Sequence, residues 1–369
     1  MKVAFLFGAL NRGGAESLVY DVCKQKDYAP FEIVCLYRKD GELIDAFHET
    51  GVEVLKVGQK KKGIIPFLLS FRKTILANNI DIVHAQTGFN AIISIISLLF
   101  THVKIVTTFH GFYFASAPLW QRKLVYRKSK LIICVSEFEK QLYQQKWHLP
   151  SKNKLNVVYN GLDFSKLDSP APMCDHPVVI EKGSLNITMI GSFRGVRAQS
   201  FICKVANALN ERDIPFNLFF VGRREPEESH LYDDCVDYCS VHGLMNKVHF
   251  LGSRSDIPYL LKQMDLFLYA SRQDTFGIAV LEAMASSLPV IVNDWAVMKE
   301  ITDNGRYATI YETDNVEDCV LKILSFLHRK TTEPDLLALD CQRISREIRE
   351  KYSIENHIKG LYDIYKSCL

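Results

Sequence analysis

Two carboxylates eight residues apart, Asp274 and Glu282, stand in the segment Ser271-Arg272-Gln273-Asp274-Thr275-Phe276-Gly277-Ile278-Ala279-Val280-Leu281-Glu282. The apolar run Leu266–Tyr269 before it reads as a buried strand, and the residues after Gly277 as a helix. The backbone N–H groups of Phe276, Gly277 and Ile278 would then open that helix, where they lack helical acceptors and can hold a diphosphate. Asp274 in the preceding loop is placed to accept sugar hydroxyls, and Glu282 to accept both hydroxyls of a ribose. Taken singly, the same two acids read equally well as a capping carboxylate and a solvated glutamate. Gly13-Gly14 follows the apolar run Val3–Phe7 and precedes a helical pattern. That is either a second phosphate-approaching turn or a plain tight strand-to-helix turn. His110 comes directly after the run Lys104–Thr108, at a strand end where it can face a ligand or remain a satisfied core histidine.

These groups need parallel strands to position them. Short apolar runs alternate with helical patterns along the chain of 369 residues, which implies crossover connections and an α/β class. In the first half the strands are expected at Val3–Phe7, Glu32–Leu36, Val52–Val57, Ile80–His84, Lys104–Thr108, Leu131–Val135 and Asn156–Tyr159. In the second they are expected at Asn186–Ile190, Asn217–Val221, Lys247–Leu251, Leu266–Tyr269, Pro289–Val292 and Tyr307–Ile310. The near-continuous apolar character of these runs fits sheets covered on both faces. Helical segments at about 315–330, 335–350 and 354–367 follow. The length suits two domains. The expected organisation is a first domain over 1–168, a linker over 169–185 containing Pro170-Ala171-Pro172, a second domain over 186–350, and a closing helix over 351–369. Two doubly wound Rossmann-like parallel-sheet domains facing across a cleft would place a ligand at their strand ends.

The segment from Ser271 resembles the acid-x7-acid motif of glycosyltransferase family 4, which are retaining, nucleotide-sugar-dependent enzymes with the GT-B fold. Further motifs agree in order along nearly the whole chain: Arg12-Gly13-Gly14-Ala15-Glu16, Asp81-Ile82-Val83-His84, Thr108-Phe109-His110-Gly111, Val135-Ser136-Glu137 and Asn160-Gly161-Leu162-Asp163. In the second half, Gly191-Ser192-Phe193-Arg194-Gly195-Val196-Arg197 resembles the family's basic phosphate loop. Leu251-Gly252-Ser253-Arg254-Ser255-Asp256-Ile257 resembles its loop beside the nucleotide base. The resemblance implies catalytic roles for His110, Asp274, Glu282, Arg194 and Arg197. It implies substrate contacts for Gly13, Gly14, Phe276, Gly277, Ile278, Arg254 and Asn160, no metal and no cofactor beyond the co-substrate. His110 would orient the donor sugar, and the acceptor proton would pass to the departing phosphate. The closing helix would cross back to the first domain. Four positions depart from the family pattern: Asp274 replaces Glu and reaches about 1.5 Å less, Arg197 replaces Lys, Ser192 replaces Arg, and Asn293-Asp294-Trp295-Ala296 replaces a glycine-rich turn.

The composition, 48% apolar and 24% charged, excludes a disordered or disulfide-dense chain. The net charge of +3 hides an asymmetry, with +9 over residues 1–163 and −6 over 164–369. Basic residues cluster at Lys60-Lys61-Lys62, Arg72-Lys73 and Arg122 to Lys130, interleaved with apolar and aromatic residues. That pattern fits either an anionic membrane surface or solvated helix faces, and nothing resembles a nucleic-acid module. The N-terminal apolar run reads as a first strand without a cleavage site, and Ala91–Phe100 is too short to span a bilayer. Cys235, Cys239, His242 and His249 match no standard zinc spacing, so the scattered cysteines point to a reduced, cytoplasmic protein. The expected activity is transfer of a hexose or N-acetylhexosamine from a nucleotide-sugar, a UDP-sugar, to a lipid-linked or growing polysaccharide, as in bacterial capsule, exopolysaccharide or lipopolysaccharide assembly. Competing readings are a GT-B nucleotide-sugar epimerase and a non-catalytic GT-B scaffold.

Overall fold

The computed structural model describes residues 1–11, 13–58, 63–111, 116–147, 154–168, 178, 180 and 183–369. Arg12, Lys60-Lys61-Lys62, Pro170-Ala171-Pro172 and most of the expected linker lie outside these residues. A strand forms at each expected place. The first seven are β1 (Lys2–Ala9), β2 (Glu32–Lys39), β3 (Glu53–Lys56), β4 (Ile82–Ala85), β5 (Lys104–Phe109), β6 (Leu131–Cys134) and β7 (Leu155–Val157). The next six are β8 (Leu185–Ile190), β9 (Phe216–Val221), β10 (Val248–Phe250), β11 (Leu266–Tyr269), β12 (Val290–Asn293) and β13 (Thr309–Tyr311).

They form two sheets, ordered β3-β2-β1-β4-β5-β6-β7 and β10-β9-β8-β11-β12-β13. The strand pairs in both are parallel. Each order reverses once, between β1 and β4 and between β8 and β11, and a doubly wound sheet opens its ligand crevice beyond the strand ends at such a switch. The alternation of β1 shows why the central strands are apolar throughout. Val3, Phe5 and Phe7 join one core cluster and Ala4 and Leu6 the opposite one, so neither face is left to water.

The chain divides into two units, Met1–Asp163 with Tyr352–Leu369, and Phe164–Lys351. The closing helix Ile354–Cys368 places Ile354, Ile358, Leu361 and Tyr365 in the core cluster of Val3 and Phe5, making it part of the first unit. The division after Asp163 corrects the expected boundary at 168. Asp168 accepts two hydrogen bonds from Arg349, at 2.8 and 2.9 Å, and the Arg349 guanidinium lies 5.6 Å from the ring centroid of Phe164. These contacts tie residues 164–168 to the second unit.

Candidate functional site

In the second unit the crevice is built where β8 and β11 end. The chain leaves β8 through Gly191, at φ +155°, and a side chain there would collide with Arg197 Nε at 2.3 Å. Glycine therefore leaves room for Arg197 to fold back over its own loop. Backbone bonds from Ala198 N to Ala270 O and from Arg272 N to Val196 O stitch this loop to the one after β11. Arg197 Nε donates to the Tyr269 hydroxyl at 3.1 Å, and that hydroxyl donates to Asp274 Oδ2. Arg197 Nη2 stands 4.0 Å from Asp274 Oδ1. Burial, reinforced by Asp274, raises the Tyr269 pKa, so the phenol stays neutral and can donate and accept at once. The Tyr269 oxygen, then Asp274, raises the pKa of Arg197. The result is a largely buried cation held in one place by a tyrosine and an acid.

The helix Ile278–Ala285 begins beside this network. Gly277 adopts φ +85°, which calls for glycine, and a β-carbon there would also push on Met298 Cε at 2.8 Å. The first N–H groups of the helix have no helical carbonyl to donate to. The loop in front of it is held by residues that replace the family's glycine-rich turn. Trp295 Nε1 donates to Asp274 O at 2.9 Å, and Asn293 exchanges hydrogen bonds with the backbone of Ser271, Nδ2 to O at 2.8 Å and N to Oδ1 at 3.0 Å. Glu282 lies on the same helix, partly buried. Thus Arg197, Asp274, Phe276, Gly277 and Ile278 converge on one corner of the second unit, and Glu282 follows along the helix.

Arg194 and Arg254 are engaged differently. Arg194 Nη2 pairs with Glu225 at 3.1 Å while its side chain remains 52% exposed, which leaves it able to turn toward a ligand. Glu225 also holds Arg223 at 3.0 Å, so it keeps a cation if Arg194 moves. Arg254 is committed to Asp256 through Nε at 2.8 Å and Nη2 at 2.5 Å, with both side chains nearly buried. It braces its loop as much as it offers a contact.

In the first unit the strand ends carry a chain of neutral histidines. His84 Nδ1 lies 2.6 Å from the Tyr365 hydroxyl and Nε2 2.6 Å from Thr108 Oγ1. Gln86 Nε2 donates to His84 O at 3.5 Å, which turns its Oε1 toward His110 Nε2 at 2.8 Å. That orientation assigns the His110 proton to Nε2. Burial, with His357 nearby, lowers the His110 pKa to about 4, so the ring is neutral near pH 7. Gly13 precedes the helix Gly14–Lys24, and a side chain on Gly13 would meet Glu16 Oε2 at 2.5 Å, whereas Gly14 faces open space. Asn160 is buried with no partner for Oδ1 among the described residues. The adjoining Gly161 lies against the start of the closing helix, where a β-carbon would come 2.7 Å from Ile354 Cα. The Val135-Ser136-Glu137 motif has a local role: Ser136 Oγ accepts from Glu139 N and Glu139 Oε2 from Val135 N, a reciprocal helix cap.

Sequence reasoning missed Tyr269, Asn293 and Trp295 as parts of the site. The available signal for Tyr269 was a hydroxyl on the last residue of an otherwise apolar strand. Among the described residues no group of three or more His, Cys, Asp or Glu side chains is arranged to hold a metal ion, the Cys235 and Cys239 region included. Nor is any helix there long and apolar enough to cross a membrane.

The family model Glycosyltransferase Family 4 matches residues 12–166, and Glycosyl transferases group 1 matches residues 176–347. The chain is 24% identical, over 81% of its length and 78% of the relative's, to the UDP-Gal:alpha-D-GlcNAc-diphosphoundecaprenol alpha-1,3-galactosyltransferase of Escherichia coli. It is 25% identical, over 88% and 84%, to the N-acetyl-alpha-D-glucosaminyl L-malate synthase of Bacillus anthracis. A glycosyltransferase of Rickettsia africae ESF-5 superposes with a TM-score of 0.84 at 19% identity, covering 100% of this chain and 98% of that one. Anabaena Alr3699/HepE, solved with UDP, superposes at 0.81 and 17% identity over 100% of both. With two parallel-sheet domains of the GT-B class, and with the family's motifs gathered at the strand ends where such sheets take ligands, the chain belongs to the glycosyltransferases of family 4.

Proposed function

We propose that this glycosyltransferase moves a hexose or N-acetylhexosamine, with retention, from a UDP-sugar to a lipid-linked or growing saccharide in bacterial surface-polysaccharide biosynthesis. The observation that carries this reading is the Arg197–Tyr269–Asp274 network beside the helix that starts after Gly277. Breaking the anomeric C–O bond leaves negative charge on the β-phosphate. A preorganised buried cation and a helix N-terminus stabilise that charge without rearranging during the reaction. Arg194 adds a second, more mobile cation, and Glu282 accepts the ribose hydroxyls. No step is assigned to a metal. In the first unit, His110 is neutral with its Nε2 proton held by Gln86, and it is the residue to which the family resemblance gives the orienting of the donor sugar. The name of the Escherichia coli relative supports a diphospholipid-linked acceptor, and the UDP complex of Alr3699/HepE supports the nucleotide.

The acceptor's lipid implies a membrane surface, and the first unit carries features suited to one. Ile64, Ile65 and Leu69 are each more than 60% exposed on the helix Ile64–Ala77. Phe100, and Leu119 and Trp120 on the helix Leu119–Lys128, are exposed as well. The helix Gly88–Ser97 packs against both of these helices. Apolar side chains among Lys73, Arg122, Lys123, Arg127 and Lys128 fit a peripheral site on anionic lipid at the cytoplasmic face.

The test is turnover of UDP-, GDP- and ADP-sugars by wild type and Glu282→Ala. UDP-sugar consumption by wild type, lost in the variant with its melting temperature retained, supports the reading. An epimerised donor would replace it with an epimerase, and the absence of any donor turnover would replace it with a scaffold.

A further inference from the structure

Arg38, near the end of β2, is a cation with no anion beside it among the described residues. The register of β2 on β1, Tyr37 opposite Phe7 and Lys39 opposite Ala9, sets Arg38 beside Gly8. The side chain uses that gap: a β-carbon on Gly8 would come 3.3 Å from Arg38 Nη2. The guanidinium carbon lies 4.9 Å from the centroid of the Phe89 ring, which is itself 56% exposed. Arg38 Nε is buried and has no hydrogen-bond partner among the described residues. Burial lowers the pKa of the side chain, and no carboxylate among the described residues acts against that shift. By contrast, the three arginines described in the loops of the second unit each sit against an acid: Arg194 on Glu225, Arg197 on Asp274, Arg254 on Asp256.

The position is as telling as the lack of a partner. Arg38 stands at the carboxyl end of the first sheet, next to the β1/β4 switch and on the same edge as Gln86 and His110. Beside Phe89, the buried Asn90 donates to Leu6 O at 3.0 Å and has no partner for its Oδ1 among the described residues. A partly desolvated cation stacked on an aromatic ring gains most from an anion that its planar fork can grip with two parallel hydrogen bonds. A neutral sugar would leave that charge uncompensated.

We infer that Arg38, oriented by Phe89, is the subsite for a phosphate group carried by the acceptor. This rests on the transferase reading above and names the acceptor chemistry its first unit selects. The phosphate could belong to a lipid diphosphate or to a soluble phosphorylated saccharide; Arg38 recognises the oxygen atoms the two share.

The test uses the full chain saturated with UDP, so that the diphosphate corner of the second unit is filled. Inorganic pyrophosphate, farnesyl diphosphate and malonate are titrated calorimetrically into wild type, Arg38→Gln, Arg38→Lys and Phe89→Ala. Pyrophosphate and farnesyl diphosphate are expected to bind wild type and to weaken roughly tenfold or more in Arg38→Gln, with partial recovery in Arg38→Lys and a smaller loss in Phe89→Ala. Tighter binding of farnesyl diphosphate than of pyrophosphate assigns the phosphate to a lipid, and equal binding to a soluble saccharide; both support the subsite. Binding of both probes to a folded Arg38→Gln protein as tightly as to wild type overturns it. Malonate binding that matches pyrophosphate and shows the same dependence on Arg38 overturns the phosphate assignment in favour of a carboxylate. Failure of wild type to bind UDP at all would instead sink the transferase reading on which the subsite depends.

Discussion

Tyr269→Phe removes one oxygen from the centre of the proposed phosphate site and nothing else. Tyr269 is fully buried, so no water replaces the hydroxyl. Two hydrogen bonds disappear, one from Arg197 at 3.1 Å and one to Asp274. Bonds to charged groups contribute about 1.5–3 kcal/mol each, which sets a gross loss of roughly 3–6 kcal/mol. Arg197 and Asp274 start 4.0 Å apart and can close to direct contact with a shift of about 1 Å, recovering part of that loss. A net cost of ~2 kcal/mol follows, or about 4–8 °C in the melting temperature of a unit this size. The same shift pulls the cation out of register with the departing phosphate, and a misplacement of this size lowers rates by about 100-fold. Thermal melts combined with steady-state sugar transfer measure both effects. Tyr311→Phe is the comparison, since it loses only a hydrogen bond from its buried hydroxyl to Tyr269 O at 3.0 Å. Transfer by a folded Tyr269→Phe protein within threefold of wild type would refute the role given to the network.

Stability should fall with acid. His110 and His357 are held to about 4 by burial, whereas in the unfolded chain they titrate near 6.5. Below 6.5 the unfolded state therefore binds more protons, so the stability is fully present above that pH and is lost as pH falls toward 4. Urea unfolding at pH 5 is expected to give roughly 2–4 kcal/mol less stability than at pH 7.5, and equal values would contradict the neutral assignment. The exposed apolar face predicts that Leu69→Ser with Trp120→Ser weakens co-sedimentation with phosphatidylglycerol vesicles about tenfold or more. Unchanged sedimentation would place the contact elsewhere.

The central strands were legible because they are buried on both faces: a run such as Leu218-Phe219-Phe220-Val221 has no polar side to mislead the eye. The glycine at 277 could be read too, since the turn into that helix needs its positive φ. What the sequence hid was pairing at a distance. Asp274 reads as a sugar-binding acid, yet its carboxylate is shared with Arg197, 77 positions earlier, through a tyrosine hydroxyl. Arg254 reads as a ligand contact, yet Asp256 two residues on already takes its Nε and Nη2. The boundary near 163 was hidden for the same reason, because Asp168 is anchored by Arg349, 181 residues away. Spacing shows which groups are available, and only the fold shows which of them are already occupied.

The last helix has a consequence for how the protein is made. Residues 352–369 complete the hydrophobic core that residues 1–163 begin, and Tyr365 meets His84 across 281 positions. On the ribosome the whole of Phe164–Lys351 emerges before that helix does, so the inserted unit can fold while the flanking one still waits for its final segment. A premature stop after Lys351 would therefore leave the earliest-made part of the protein, rather than the latest, unable to close.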